Sequence, residues 1–318
     1  MTAAPVLVFA QQRKAPDDHL YLLVDGLAEC DAEHALSVPS MRAALGDAAV
    51  ERVLRPDLAH APEVCPALVQ LAAPGEDAQE QLLALSAHYA AEDARYRKRY
   101  ICGWLLSAHP LSAVAEHLAE QCLATSAGPG QPPTPWYEPL RLELLTAALG
   151  NQIASVLGPI HTWLCPSSWG SLALLQGDTQ GNAGPVQAPL PQQARQTQRL
   201  APLINDLLAA WRQALRRPPP DAPLYWQGSS LLPPQAAAQA FRLVRDAQRL
   251  GLNNERDVLS LCLHQLFVHP LLPQHPDVQS DIAAAAAGDT ALQARFATYD
   301  DAHWLRIAAT LSSAETYP

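Results

Sequence analysis

The sequence predicts an α+β protein. An amino-terminal mixed α/β domain with a small sheet is expected over residues 1–180, a linker over 181–194 and an α-helical carboxy-terminal lobe over 195–318. Three observations lead there. In the first half, short apolar runs closed by turn residues alternate with stretches of helical apolar spacing. A polar, turn-rich stretch, G-D-T-Q-G-N-A-G-P-V-Q-A-P-L-P-Q-Q from Gly177 to Gln193, then interrupts the pattern. Beyond it the apolar residues keep to a helical period.

The elements follow in order. Leu20 to Asp25 (L-Y-L-L-V-D) reads as a buried strand closed by the turn Asp25-Gly26. Cys65 to Leu71 is a second strand, with Pro66 near its start, where a missing donor matters least. Leu82, Leu83, Ser86 and Tyr89 mark a helix over Gln79–Glu92, and Tyr100 to Leu106 a third strand. His109-Pro110 opens a helix with the stripe Leu111, Val114, Ala115, Leu118 and Cys122. Gly128 to Pro135 is an irregular loop, and Glu138-Pro139 opens a helix ending near Gly150. Ile160–Cys165 and Ser171–Gln176 complete roughly five strands.

After the linker, a helix spans about Gln196 to Arg216, and a proline-rich connector, Arg217 to Pro234, carries Tyr225 and Trp226. Those two aromatics either dock the connector or anchor a partner, because Tyr and Trp are enriched at binding hot spots. Ala236–Leu250 is a helix stopped by Gly251 in the left-handed conformation. Asn254 caps the next helix, with Asp257 at its third position. That helix is apolar around most of its circumference and suits the middle of a bundle. Asp281–Ala287 and Asp300–Ser312 add shorter helices.

Composition narrows the function. The chain has 318 residues, 49% of them apolar and 16% charged, enough for two domains with a sizeable core and too apolar for wholesale disorder. A net charge of −10 has the wrong sign for displacing counterions from nucleic acid. The cationic run Arg95, Arg97, Lys98 and Arg99 reads as a solvated helix end, with a salt bridge to an acidic partner as its functional alternative. Arg97 and Arg99 are the candidate contacts there. The six cysteines include no C-x-x-C pair, so structural zinc is not expected. No basic leader precedes an apolar core, and no apolar run reaches the roughly eighteen residues of a membrane span. A cytoplasmic chain with reduced thiols and no membrane partner is expected.

The chemistry-bearing side chains form no recognisable catalytic set. No G-x-S-x-G is present, and Ser167, Ser168 and Ser171 around Trp169-Gly170 fit no catalytic signature. Cys165 and His161 point to one face of a strand about 13 Å apart, too far for proton transfer. His264, His269 and His275 fit capping or surface roles better than a metal site. Asp25 sits at a strand end, where α/β sites often put a carboxylate, but Asp-Gly is first a turn. No catalytic, cofactor or metal site is predicted, and no enzyme. The alternatives are an enzyme of unrecognised class with Asp25 and a histidine in one cleft, or a general interaction scaffold.

One ordered set of short motifs goes further. It comprises Y-x-L-x-D-G at Tyr21–Gly26, P-x-L-V-x-L at Pro66–Leu71 and G-W-L-L-S at Gly103–Ser107, the last opening a helix. W-Y-E-P at Trp136–Pro139 follows, then L-G-P-I-x-x-W at Leu157–Trp163, a glycine step into an acidic-apolar helix over Gly251–Phe267, and a late Trp304. This order resembles the type VI secretion effector-adaptor family, chaperones associated with the VgrG-type spike, over roughly Leu20–Leu311. Two positions depart from that pattern: Pro135 stands where the family has Arg, and Glu138 where it has Asp. If those two residues form an ion pair in the family, this chain lacks it. The resemblance implies an adaptor without cofactor. Its partners would be an effector toxin, bound through the toxin's amino-terminal region, and the VgrG-type spike. Asp25, Gly26, Tyr137, Glu138, Pro139, Gly158, Pro159 and Trp163 would then form a framework.

Overall fold

The computed structural model describes residues 3–94, 97–126, 130–178, 190–216 and 231–315. Six strands form one sheet: β1 (His19–Val24), β2 (Val50–Arg52), β3 (Ala67–Ala72), β4 (Ile101–Ser107), β5 (Thr162–Pro166) and β6 (Leu172–Gln176). Their order is β2-β3-β1-β4-β5-β6, and every neighbouring pair is antiparallel. The fold is therefore α+β. Three-residue β2 is the strand that the five expected ones do not include.

Both faces of the sheet are covered. Tyr21 and Leu23 of β1, Leu68 of β3, Leu105 of β4 and Trp163 of β5 pack on one side with α4 (Leu111–Ala124), α5 (Pro139–Leu149) and α6 (Ile153–Leu157). Leu20, Leu22 and Val24 pack on the other with α1 (Ala4–Arg13), α2 (Val38–Leu45) and α3 (Glu80–Asp93). That is why β1 is apolar from Leu20 to Val24 instead of alternating: each of these side chains meets a helical layer. Trp104, Trp136 and Trp163 are fully buried, and each indole N–H finds an acceptor: Ser86 Oγ, the Leu118 carbonyl and the Cys102 carbonyl.

The run Gly103–Ser107 lies within β4 and does not open a helix; α4 starts at Leu111, with Pro110 as its N-cap. Ser107 Oγ instead accepts the His109 N–H and donates to the Pro159 carbonyl, closing the turn out of the strand.

The chain divides into two compact units, Met1–Ala201 with Leu231–Pro234, and Pro202–Ser230 with Gln235–Pro318. The division falls inside α7 (Gln192–Arg216), at Pro202. Leu190 and Ala194, at the end of the expected linker, already pack in the first unit's core. The second unit is helical: the later part of α7, α8 (Ala236–Arg249), α9 (Glu255–Phe267), α10 (Pro276–Ala287), α11 (Leu292–Phe296) and α12 (Asp301–Glu315). Gly251 takes φ +90° after α8, and Asn254 caps α9 by accepting the Arg256 N–H. Asp257 does not complete a reciprocal box; its carboxylate accepts the Gln293 N–H and ties α9 to α11. Asp281, buried, accepts from Arg295 Nε at 2.8 Å and Tyr299 Oη at 2.6 Å. Phe267 ends α9 exposed, so the apolar part of this helix is not enclosed all round.

Candidate functional site

Asp25 is the first residue beyond β1. Its N–H donates to the Tyr100 carbonyl, continuing the ladder, and its Oδ1 accepts the Leu27 N–H, which forms the turn. The carboxylate is fully buried. Gly26 follows with the Val64 and Cys65 carbonyls 2.5 and 2.7 Å from where a Cβ would stand, so no side chain fits. Asp25 Oδ2 meets Lys98 Nζ at 2.8 Å, and the same ammonium meets Glu138 Oε1 at 2.7 Å. Glu138 Oε2 accepts from Arg141 Nε at 2.9 Å, and Arg141 also donates to the Gln198 carbonyl.

One network thus joins the end of β1, the segment before β4, the start of α5 and the first turns of α7. Burial raises the Asp25 carboxyl above the ordinary carboxylate range despite Lys98. Burial also pulls Lys98 down, but the Glu138 and Asp25 carboxylates outweigh it and hold the ammonium above its usual value. The acid at 138 is therefore ion-paired, with Lys98 and Arg141, rather than with position 135.

Arg97, Lys98 and Arg99 lie beyond the last turn of the preceding helix. α3 stops at Asp93, and Lys98 and Arg99 are half-buried on the way into β4. Arg97 is exposed and also has a partner. Arg99 lies near Asp93 and Glu143, with its Nη1 enclosed. Arg95 lies outside the described residues, as do Tyr225 and Trp226.

Tyr137 is buried, and its hydroxyl accepts from Arg55 Nη1 at 2.9 Å; Arg55 also holds Asp57 with two nitrogens. Pro139, at the first position of α5, is buried, and Trp163 stacks edge-on against Trp136 with ring centres 5.5 Å apart. Gly158 ends α6 at φ +57°, and the His117 ring lies 2.3 Å from where its Cβ would stand. His117 Nε2 is 3.0 Å from the Val156 carbonyl. Pro159 is half-buried, and its carbonyl accepts from Ser107.

The histidines singled out in the sequence have separate partners. His161 Nε2 lies 2.8 Å from Asp18 Oδ1, and its Nδ1 lies 2.9 Å from Thr162 Oγ1. Cys165 is buried with its thiol pushed up by that burial, so it has no thiolate character. His269 and His275 accept backbone N–H bonds from Leu271 and Asp277, the second as the N-cap of α10. His264 sits among Phe296 and Trp304, with ring centres 4.8 and 4.7 Å away. Among the described residues, no group of three metal-ligating side chains converges.

In the second unit, a cavity of about 540 Å3 is floored by Leu259, Leu263, Phe296 and Ala297, with Arg256 and His264 at its border. In the first unit, a more polar one of about 650 Å3 lies between α1 and the segment leading into α3, with Lys14, Glu76, Asp77 and Glu80 in its wall.

No family model, curated protein or solved structure matches this chain. Among the described residues, no helix is long and apolar enough to cross a membrane.

Sequence reasoning missed Lys98 as the hub, Arg55 as the partner of Tyr137 and Asp18 as the partner of His161. Lys98 stood within a cationic run, and nothing in that run distinguishes a side chain that turns inward from one that stays in solvent.

Proposed function

We propose that this chain is an adaptor that binds a type VI secretion effector and helps load it onto the VgrG-type spike. The ordered motifs from Tyr21 to Trp304 carry the reading. The observation in its favour is that two motif residues far apart in sequence, Asp25 and Glu138, meet on one ammonium, Lys98. A buried carboxylate with one oxygen on a turn N–H and the other facing a lysine ammonium at 2.8 Å suits a framework better than a reaction centre. Asp25, Gly26, Tyr137, Glu138, Pro139, Gly158, Pro159 and Trp163 are on this reading structural residues that shape the surface an effector meets.

A second reading, an enzyme of unrecognised class, draws on His161 held between Asp18 and Thr162. A hydroxyl, an imidazole and a carboxylate in series are the parts of a proton relay. Thr162 is, however, the next residue to His161.

The deciding experiment co-expresses the tagged full chain with the product of the gene immediately downstream, followed by pull-down and size exclusion. The adaptor reading expects a stoichiometric complex, and a partner that is soluble only when co-expressed. A chain that elutes alone beside a soluble, indifferent neighbour overturns it.

A further inference from the structure

β6 forms one edge of the sheet, and its register shows which backbone groups face outward. Ser167 donates to the Ser171 carbonyl at 2.8 Å, and Gly177 donates to the His161 carbonyl at 2.9 Å. These bonds bracket the ladder in which Cys165 faces Ala173 and Trp163 faces Leu175. Hydrogen-bonded pairs alternate along an antiparallel ladder. Ala173 and Leu175 therefore bond inward to β5, while the N–H and C=O of Leu172, Leu174 and Gln176 point away from the sheet. Among the described residues nothing pairs with them.

The two edges differ in protection. β2, at the far edge, has three residues, two of them charged, Glu51 and Arg52. Short length and charge are the usual means of blunting an edge. β6 is L-A-L-L-Q, with no charge and no proline. Its Leu174 side chain is 39% exposed, and Leu231, 57% exposed, stands against Gly170 in the turn leading into it.

We propose that the outer edge of β6 takes up an extended, uncharged segment of the effector as a seventh strand; the partner's identity rests on the adaptor reading above. The chemistry selects polypeptide backbone, because alternating donors and acceptors along a strand are satisfied by another strand. A second copy of this chain is the poorer occupant. Five residues at about 3.4 Å each give an edge of roughly 17 Å. Across a sheet layer about 10 Å thick, such an edge presents on the order of 170 Å2 per copy, far short of the roughly 1,200–2,000 Å2 a stable interface buries. Self-pairing would also bring together two bodies of charge −10. A single extended segment needs only the strand itself.

Leu174→Pro is the discriminating variant. The N–H it removes points outward, so the sheet's own ladder is intact and the protein should melt as wild type does. The first arm uses amide hydrogen exchange on the full chain with a synthetic acetylated Ser-Thr-Val-Thr-Val-Thr-Val-Ser amide, which carries no charge. The amides of Leu172, Leu174 and Gln176 should exchange fast alone and at least tenfold more slowly with peptide, and Leu174→Pro should abolish that slowing. The second arm repeats the downstream-gene co-expression, where Leu174→Pro should lower recovery of the complex at least tenfold. A wild-type complex that Leu174→Pro leaves intact overturns the strand site and spares the adaptor reading. No complex with either protein overturns the adaptor reading, and the peptide arm then decides the edge: protection of the three amides upholds strand uptake, and its absence overturns it.

Discussion

Lys98 connects residues that lie 73 and 40 positions away in the chain, Asp25 and Glu138. Replacing it by Met leaves a fully buried carboxylate without a counter-charge. Breaking one side of a buried pair costs about 3–5 kcal/mol, and a partly exposed lysine puts this case near the lower bound, about 3 kcal/mol. Urea melts of Lys98→Met, Asp25→Asn and the double variant should show the double to be less damaging than the sum of the singles by about 1 kcal/mol or more. Additive losses would mean that the pair is not coupled.

Asp93 offers a pH test. Burial raises its carboxyl from 3.8 to about 6, against the pull of the Ile101 and Tyr100 N–H groups and Arg99. The folded state holds this proton more tightly than the unfolded chain. Its contribution is therefore full below about pH 4 and is lost as the pH rises through 6. Asn retains an oxygen to accept both N–H bonds but cannot ionise. Asp93→Asn should remove up to about 3 kcal/mol of stability decline between pH 4 and 6, seen as a flatter urea midpoint against pH. At Gly158, the backbone sits at φ +57° and the His117 ring fills the space of a side chain. Gly158→Ala should cost about 2–3 kcal/mol by thermal melting, from strain and from displacing His117 off the Val156 carbonyl.

At the scale of elements, capping chemistry was legible and pairing was not. Gly251 and Asn254 end and begin helices where their residue types demand it. Asn254→Ala should destabilise the helical unit by about 1 kcal/mol, read from its melting temperature. The strands β1, β3 and β4 are visible as apolar runs because each is covered on both faces. β2 is not, because Val50, Glu51 and Arg52 are too few to show a period, and only the edge of β3 makes them a strand. α1 and α2 are short, and their buried residues, such as Val6, Phe9 and Met41, are too sparse to declare a face. The apolar run Tyr100–Leu106 predicts the strand that forms, whereas the Gly103–Ser107 motif inside it suggests a helix start that does not. The ion-pair network could not be read at all, since local spacing carries no information about which cation turns inward to meet a carboxylate on another element.

At the scale of the whole molecule, the thiols report on integrity. All six cysteines are free; Cys30 is half-buried and the other five are buried. Burial raises the Cys102, Cys122, Cys165 and Cys262 thiols, which makes them poor nucleophiles. A thiol reagent should label at most one site rapidly in the native protein and all six in denaturant. Fast labelling of two or more would place a buried cysteine in an opening segment.

β1 lies near the middle of the sheet although it is the first strand made. Its two neighbours are residues 67–72 and 101–107, so a ribosome must add about eighty residues after Val24 before both flanks exist. At roughly 5–20 residues per second, that leaves the nascent run L-Y-L-L-V with at least one bare flank for some 4–16 seconds. A chain proposed as a chaperone for another protein should therefore itself depend on being shielded during its own synthesis.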